Sequence, residues 1–69
     1  MKNSVSHYDD TLAAIESTTD FNDMFLQDIA AHGPNNILNN NLSESANAKL
    51  QNIAKQKIRD LENAAYKNA

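Results

Sequence analysis

Sixty-nine residues, with six Lys and Arg against nine Asp and Glu and a formal net charge of −3, make at most one domain and leave much apolar surface hard to bury within one chain. The absence of cysteine excludes disulfides and the common zinc frameworks, so association with another chain is the expected source of added stability. One glycine, one proline and few aromatics, among abundant Ala, Leu, Ile, Asn and charged residues, exclude a β-rich or glycine-rich low-complexity chain and point to an all-α fold.

The start, MKNSVSHYDD, lacks the apolar core of a secretory signal, and no apolar run approaches the roughly 18 to 20 residues of a membrane span. A soluble, cytoplasmic protein without membrane contact is expected, and the lack of cysteine fits a reducing compartment. The sequon Asn41-Leu42-Ser43 is then a chance match. Residues 1–6 read as a flexible N-terminus to a single domain spanning 1–69.

The first element is a helix from about residue 7 to 32: at about 100° per residue, Tyr8, Leu12, Ile15, Phe25, Leu26, Ile29 and Ala30 fall on one half of the wheel. Asp9, Glu16, Asp20, Asp23 and Gln27 gather on the other side. Ser6 with Asp9 resembles a capping box, and Gly33-Pro34 marks the end. The run Ser17-Thr18-Thr19-Asp20 favours caps over helix interiors, so a break into two shorter helices near 17–20 stands as the alternative to one continuous helix.

Residues 33–42 read as the connecting loop, and Ser43 or Asn41 can cap a second helix from about 43 to 67. Its stripe contains Ala46, Leu50, Ile53, Ala54, Ile58, Leu61, Ala64 and Ala65. A short connection makes the two helices antiparallel neighbours. Both stripes are wider than a two-helix seam needs, so the hairpin is expected to dimerise into a four-helix bundle. The expected seam comprises Leu12, Ile15, Asn22, Phe25, Leu26, Ile29, Leu50, Ile53, Lys57 and Leu61.

Asn22 and Lys57 are the polar positions within those stripes. A hairpin folded about residue 38 places them in one layer, which would penalise wrong registers at some cost in stability. The alternatives are a Lys57 that snorkels from the seam's edge and a pair that marks a partner's docking site. Ile37, Leu38 and Leu42, in the connection, fall outside the seam. They either plug the end of the bundle or form an apolar tip for a partner.

Little in the sequence suggests catalysis. There is no HExxH, no Gly-rich phosphate loop and no nucleophile motif, and a hairpin of this size offers no deep pocket, so neither enzyme activity nor a cofactor is expected. His7 and Asp10 have an i, i+3 spacing, but two groups beside a helix start fall short of the three or four that hold a metal. Met24 lies away from the stripe, as an isolated exposed residue or a partner contact. Charge is uneven: residues 1–33 carry six acids against Lys2, giving −5, whereas residues 34–69 carry three acids against five bases, giving +2. The outer face of the second helix holds Lys49, Asn52, Lys55, Gln56, Arg59, Asn63, Tyr66 and Lys67.

In layout, a short acidic helical hairpin expected to dimerise, the chain resembles the RNA-binding plasmid copy-number regulators of the Rop type and several small phage and bacterial regulators that bind other proteins. That resemblance implies two classes of partner. The first expectation is a small non-enzymatic regulator, of inhibitor, anti-repressor or adaptor type, that occludes a protein target, including a basic or DNA-binding one. The alternatives are an RNA- or DNA-binding hairpin using Lys49, Lys55, Arg59 and Lys67, with nucleic acid the less favoured partner, and a subunit or chaperone of a larger secretion or phage assembly.

Overall fold

The computed structural model describes residues 3–38 and 41–68, with side chains described for 8–37 and 41–67. Four helices follow in order: α1 (Asn3–Ser17), α2 (Met24–His32), α3 (Pro34–Leu38) and α4 (Glu44–Asn68). All regular structure among the described residues is helical. The molecule measures 46 × 20 × 17 Å, and α4 alone is about 37 Å long at about 1.5 Å per residue. The other helices lie along it, α2 most extensively.

The continuous first helix is corrected to two helices. Chain-end groups of α1 find other partners: the hydroxyls of Ser17 and Thr18 donate to the Ala14 carbonyl at 3.1 and 2.9 Å, and the Thr18 N–H donates to Ile15 O at 3.2 Å. Two short hydroxyl side chains thus satisfy the Ala14 carbonyl that a continuing helix would have used. A turn follows, in which Asp20 accepts from the Asn22 N–H through its carboxylate and from the Asp23 N–H through its carbonyl. Asp23 then caps α2, its Oδ1 accepting from Phe25 N at 2.9 Å and Leu26 N at 3.2 Å. Gln27 reaches back to donate to the Phe21 carbonyl.

Two further boundaries differ from expectation, and at a third one of the two expected caps is used. Helix α1 begins at Asn3, inside the segment read as flexible, so Ser6 stands within the helix rather than before it. The connection 33–42 contains α3, which starts with Pro34 at a first helical position where its missing N–H costs nothing. Of the two candidate caps for α4, Ser43 serves: its hydroxyl accepts from Ala46 N at 3.2 Å and its carbonyl from Asn47 N at 2.9 Å.

Gly33 ends α2 with φ +87° while its N–H donates to Ile29 O at 2.8 Å. A Cβ there would stand 2.8 Å from Asn47 Nδ2, so glycine serves both the backbone conformation and the close approach of α4. Asn35 holds the return of the chain, donating through Nδ2 to Leu42 O at 2.9 Å and accepting from Leu42 N at 3.0 Å.

The core is small. Ile15, Leu26, Ile29, Leu50 and Ala54 are fully buried, and Ala30 nearly so. Tyr8, Leu12, Phe25, Ile37, Leu42, Ile53, Ile58 and Leu61 pack against it while half-buried. Register comes from α4, three of whose polar side chains each engage the end of another helix. Lys57 Nζ donates to Glu16 O at 2.9 Å, Gln51 Nε2 to Ala30 O at 3.1 Å, and Asn47 Oδ1 accepts from Asn35 N at 2.9 Å. The partners run in opposite order along the two halves of the chain, as a chain return requires.

The expected Asn22–Lys57 layer is therefore not formed. Asn22 is exposed in the turn, and Lys57 spends its ammonium group on a helix-end carbonyl. Thr11, a polar residue beside the apolar stripe of α1, is buried, only 4% exposed.

Candidate functional site

The expected seam residues separate into two groups. Ile15, Leu26, Ile29 and Leu50 have no exposed surface within the single chain, so a second molecule meets them only if the fold opens. Leu12, Phe25, Ile53, Lys57 and Leu61 are half-buried, and Asn22 lies away from the core. The connection is also packed: Ile37 and Leu42 both rest against the core cluster, whereas the Leu38 side chain lies outside the described residues. No helix among the described residues is long and apolar enough to cross a membrane.

Three exposed surfaces stand out among the described residues. The first is the distal end of α4, where every side chain from Glu62 to Lys67 is exposed. Glu62, Ala65 and Tyr66, spaced i, i+3 and i+4 on one helical face, form one wall of an open groove of about 570 Å³, and Phe21 from the α1–α2 turn forms the other. Tyr66 is 83% exposed at its edge. Periodicity alone hides this groove, because it carries Phe21 along a continuous helix and Tyr66 onto the basic outer face of the second helix. The available signal was a lone aromatic between Asp20 and Asn22-Asp23, residues that favour turns.

The second surface is the middle of α4's outer face. Asn52 with Gln56 and Lys55 with Arg59 form two adjacent i, i+4 pairs lining a shallow cleft of about 270 Å³. Gln56 Nε2 donates to Asp60 Oδ1 at 3.0 Å, which sets a carboxylate beside the two cations and weakens the local positive field. Lys49 and Lys67 are exposed on the same helix but do not line the cleft.

The third surface is acidic. Asp9, Asp10, Glu16, Asp20, Asp23 and Asp28 are all exposed, and Met24 stands 77% exposed in the first turn of α2, one helical turn before Asp28 and Gln27. The His7 side chain lies outside the described residues. Among those described, no three His, Cys, Asp or Glu side chains come together as a metal site would require.

The chain matches no protein-family model, no curated protein and no solved structure in comparisons with each.

Proposed function

We propose that the chain is a non-enzymatic regulator that binds another protein and occludes its functional surface, working in the cytoplasm as a helical homodimer. The observation that supports this reading best is the exposed Met24 on the acidic side of α2, with Asp20, Asp23, Gln27 and Asp28 exposed around it. Carboxylates on a surface steer a chain toward basic partners over about one Debye length, roughly 8 to 10 Å at physiological salt. An unbranched thioether can then fill irregular apolar gaps on the partner. The DNA-contacting face of a regulator has the matching chemistry, a basic surface with apolar stems between its charges. Covering it would be inhibition by occlusion.

Capture from the native host, with the wild-type chain and a Met24→Ser/Asp28→Lys variant, tests this reading. A protein held in fixed stoichiometry by the wild type, lost from the variant and released by salt, is the expected result. Absence of any stoichiometric protein at low ionic strength would overturn it.

The cleft between Lys55, Arg59, Asn52 and Gln56 favours a second reading, in which cations and amides follow a phosphate backbone. A gel shift with RNA and DNA at low salt, abolished by Lys55→Glu and Arg59→Glu, would support it. No shift at low salt ends it, because the electrostatic part of such binding is strongest there.

A further inference from the structure

We infer that the distal end of α4 is a self-association surface, on which the Tyr66 rings of two copies interdigitate, each covering the other's Phe21 and Ala65. This inference rests on the homodimer in the reading above and assigns it a place. The centre of the seam where a bundle of hairpins would meet is closed within one chain, since Ile15, Leu26, Ile29, Leu50 and Ala54 are fully buried there and Leu12, Phe25, Ile53 and Leu61 are already half-buried. The apolar surface that remains continuous lies further along α4. Ile58 and Leu61 are half-buried, and beyond them Ala65 and Tyr66 open onto the groove with Phe21.

The patch is complementary to itself. It presents a projecting aromatic, Tyr66 at 83% exposure, directly beside a recess of about 570 Å³. It also presents both signs of charge, with Glu62 on the groove wall, Asp20 and Asp23 flanking Phe21, and Lys67 next to Tyr66. A two-fold interface needs a self-complementary patch, and this combination supplies one, because each copy offers the same residues as knob and as hole, as acid and as base. An unrelated partner would need only one member of each pair. The distal end of α4 is itself balanced, with Arg59 and Lys67 against Asp60 and Glu62, so two copies of it meet without net repulsion. Tyr66 suits such a contact, since its ring buries apolar area while its hydroxyl stays wet at the rim.

In this arrangement Lys67 of each copy faces Glu62 of the other. The contact is a small one, and a dimer that dissociates on dilution follows from its size.

Sedimentation equilibrium or light scattering of the full chain, over a concentration series spanning about three decades, tests the inference. The mass should rise from 7.6 kDa toward twice that value. Tyr66→Ala should move the midpoint at least tenfold upward while helical circular dichroism is unchanged. Glu62→Lys and Lys67→Glu should each weaken self-association, and an equimolar mixture of the two should restore it, because both cross-pairs are then of opposite sign. A merely structural role for these residues would not produce rescue on mixing. A chain monomeric throughout, a dimer indifferent to Tyr66→Ala, no rescue on mixing, or open-ended growth with concentration would each overturn the inference. Rescue on mixing supports it whether or not the host extract yields a protein target; a dimer indifferent to Tyr66→Ala overturns only its place, whereas a chain monomeric throughout also removes the homodimer from the reading above.

Discussion

The ammonium nitrogen of Lys57 lies 2.9 Å from the carbonyl oxygen of Glu16, joining positions 41 residues apart. Glu16 is one residue from the end of α1, where the last carbonyls have no helical partner and the helix dipole is negative. A cation from α4 therefore caps α1 and fixes where it lies along the long helix.

Replacing Lys57 by Met keeps the apolar stem and removes the donor. The loss of this bond should lower stability by about 0.5–1.5 kcal/mol. In a chain of this length that corresponds to about 4–8 °C in melting temperature per kcal/mol, readable by circular dichroism. A lysine held in an apolar seam would respond in the opposite direction, so a more stable Lys57→Met chain would sink the capping role.

Asn22 and Asp23 are neighbours in sequence and differ in what they hold. Asp23→Ala removes the acceptor for two N–H groups of α2 and should cost about 0.5–2 kcal/mol. Asn22→Ala touches only an exposed side chain, since its bond in the turn is made by its backbone, and should stay within about 0.5 kcal/mol of wild type. Urea unfolding of the two variants side by side gives the contrast, and equal losses would contradict it.

Gly33→Ala meets two obstacles at once, a φ of +87° and an Asn47 side chain 2.8 Å from the new methyl group. A loss of about 1–3 kcal/mol is expected from the backbone conformation alone. Adding Asn47→Ala should recover the steric part but not the conformational part, and it also removes the acceptor for Asn35 N. The double variant should therefore remain below wild type yet cost less than the sum of the singles in denaturant unfolding.

The helical class and the stripe of α4 could be read from apolar spacing, because Leu50 and Ala54 sit at its centre and are the residues that become fully buried. The break in the first half was visible only as an alternative. Its apolar residues keep helical phase across 17–23, so periodicity argues for continuity while Ser17, Thr18 and Asp20 argue locally against it. The local hydrogen bonds prevailed, since each hydroxyl or carboxylate replaces a helical bond at little entropic cost. The true partner of Lys57, and any register role for Gln51 and Asn47, were illegible for another reason. Each recognises backbone at a helix end, and helix ends carry no residue identity that a partner's sequence could reveal. The groove at Phe21 and Tyr66 is hidden by the same continuity, because its Phe21 wall exists only once the turn is formed.

Asn35 engages the Leu42 backbone through both atoms of its amide, in the manner of a bridge between strands, and so holds Leu42 against the core. Asn35→Ala should lose about 1–2 kcal/mol, and Leu42→Ser a similar amount, with a coupling of about 0.5 kcal/mol or more because the first variant already frees the second residue. Asn35→Asp offers a sharper test. Its carboxylate can still accept from Leu42 N but faces the Leu42 carbonyl with charge in place of a donor, so at neutral pH it should be no better than alanine. As pH falls toward the ordinary carboxylate pKa of about 3.9 the group protonates in the folded chain and can donate again, and the stability gap to wild type at the same pH should narrow. The sign follows from linkage: the charged form is the one disfavoured in the folded chain, so the folded pKa is raised and relative stability is regained as pH falls through it. A gap that is constant from neutral pH to pH of about 3.5 would show that the Leu42 carbonyl does not depend on the Asn35 donor.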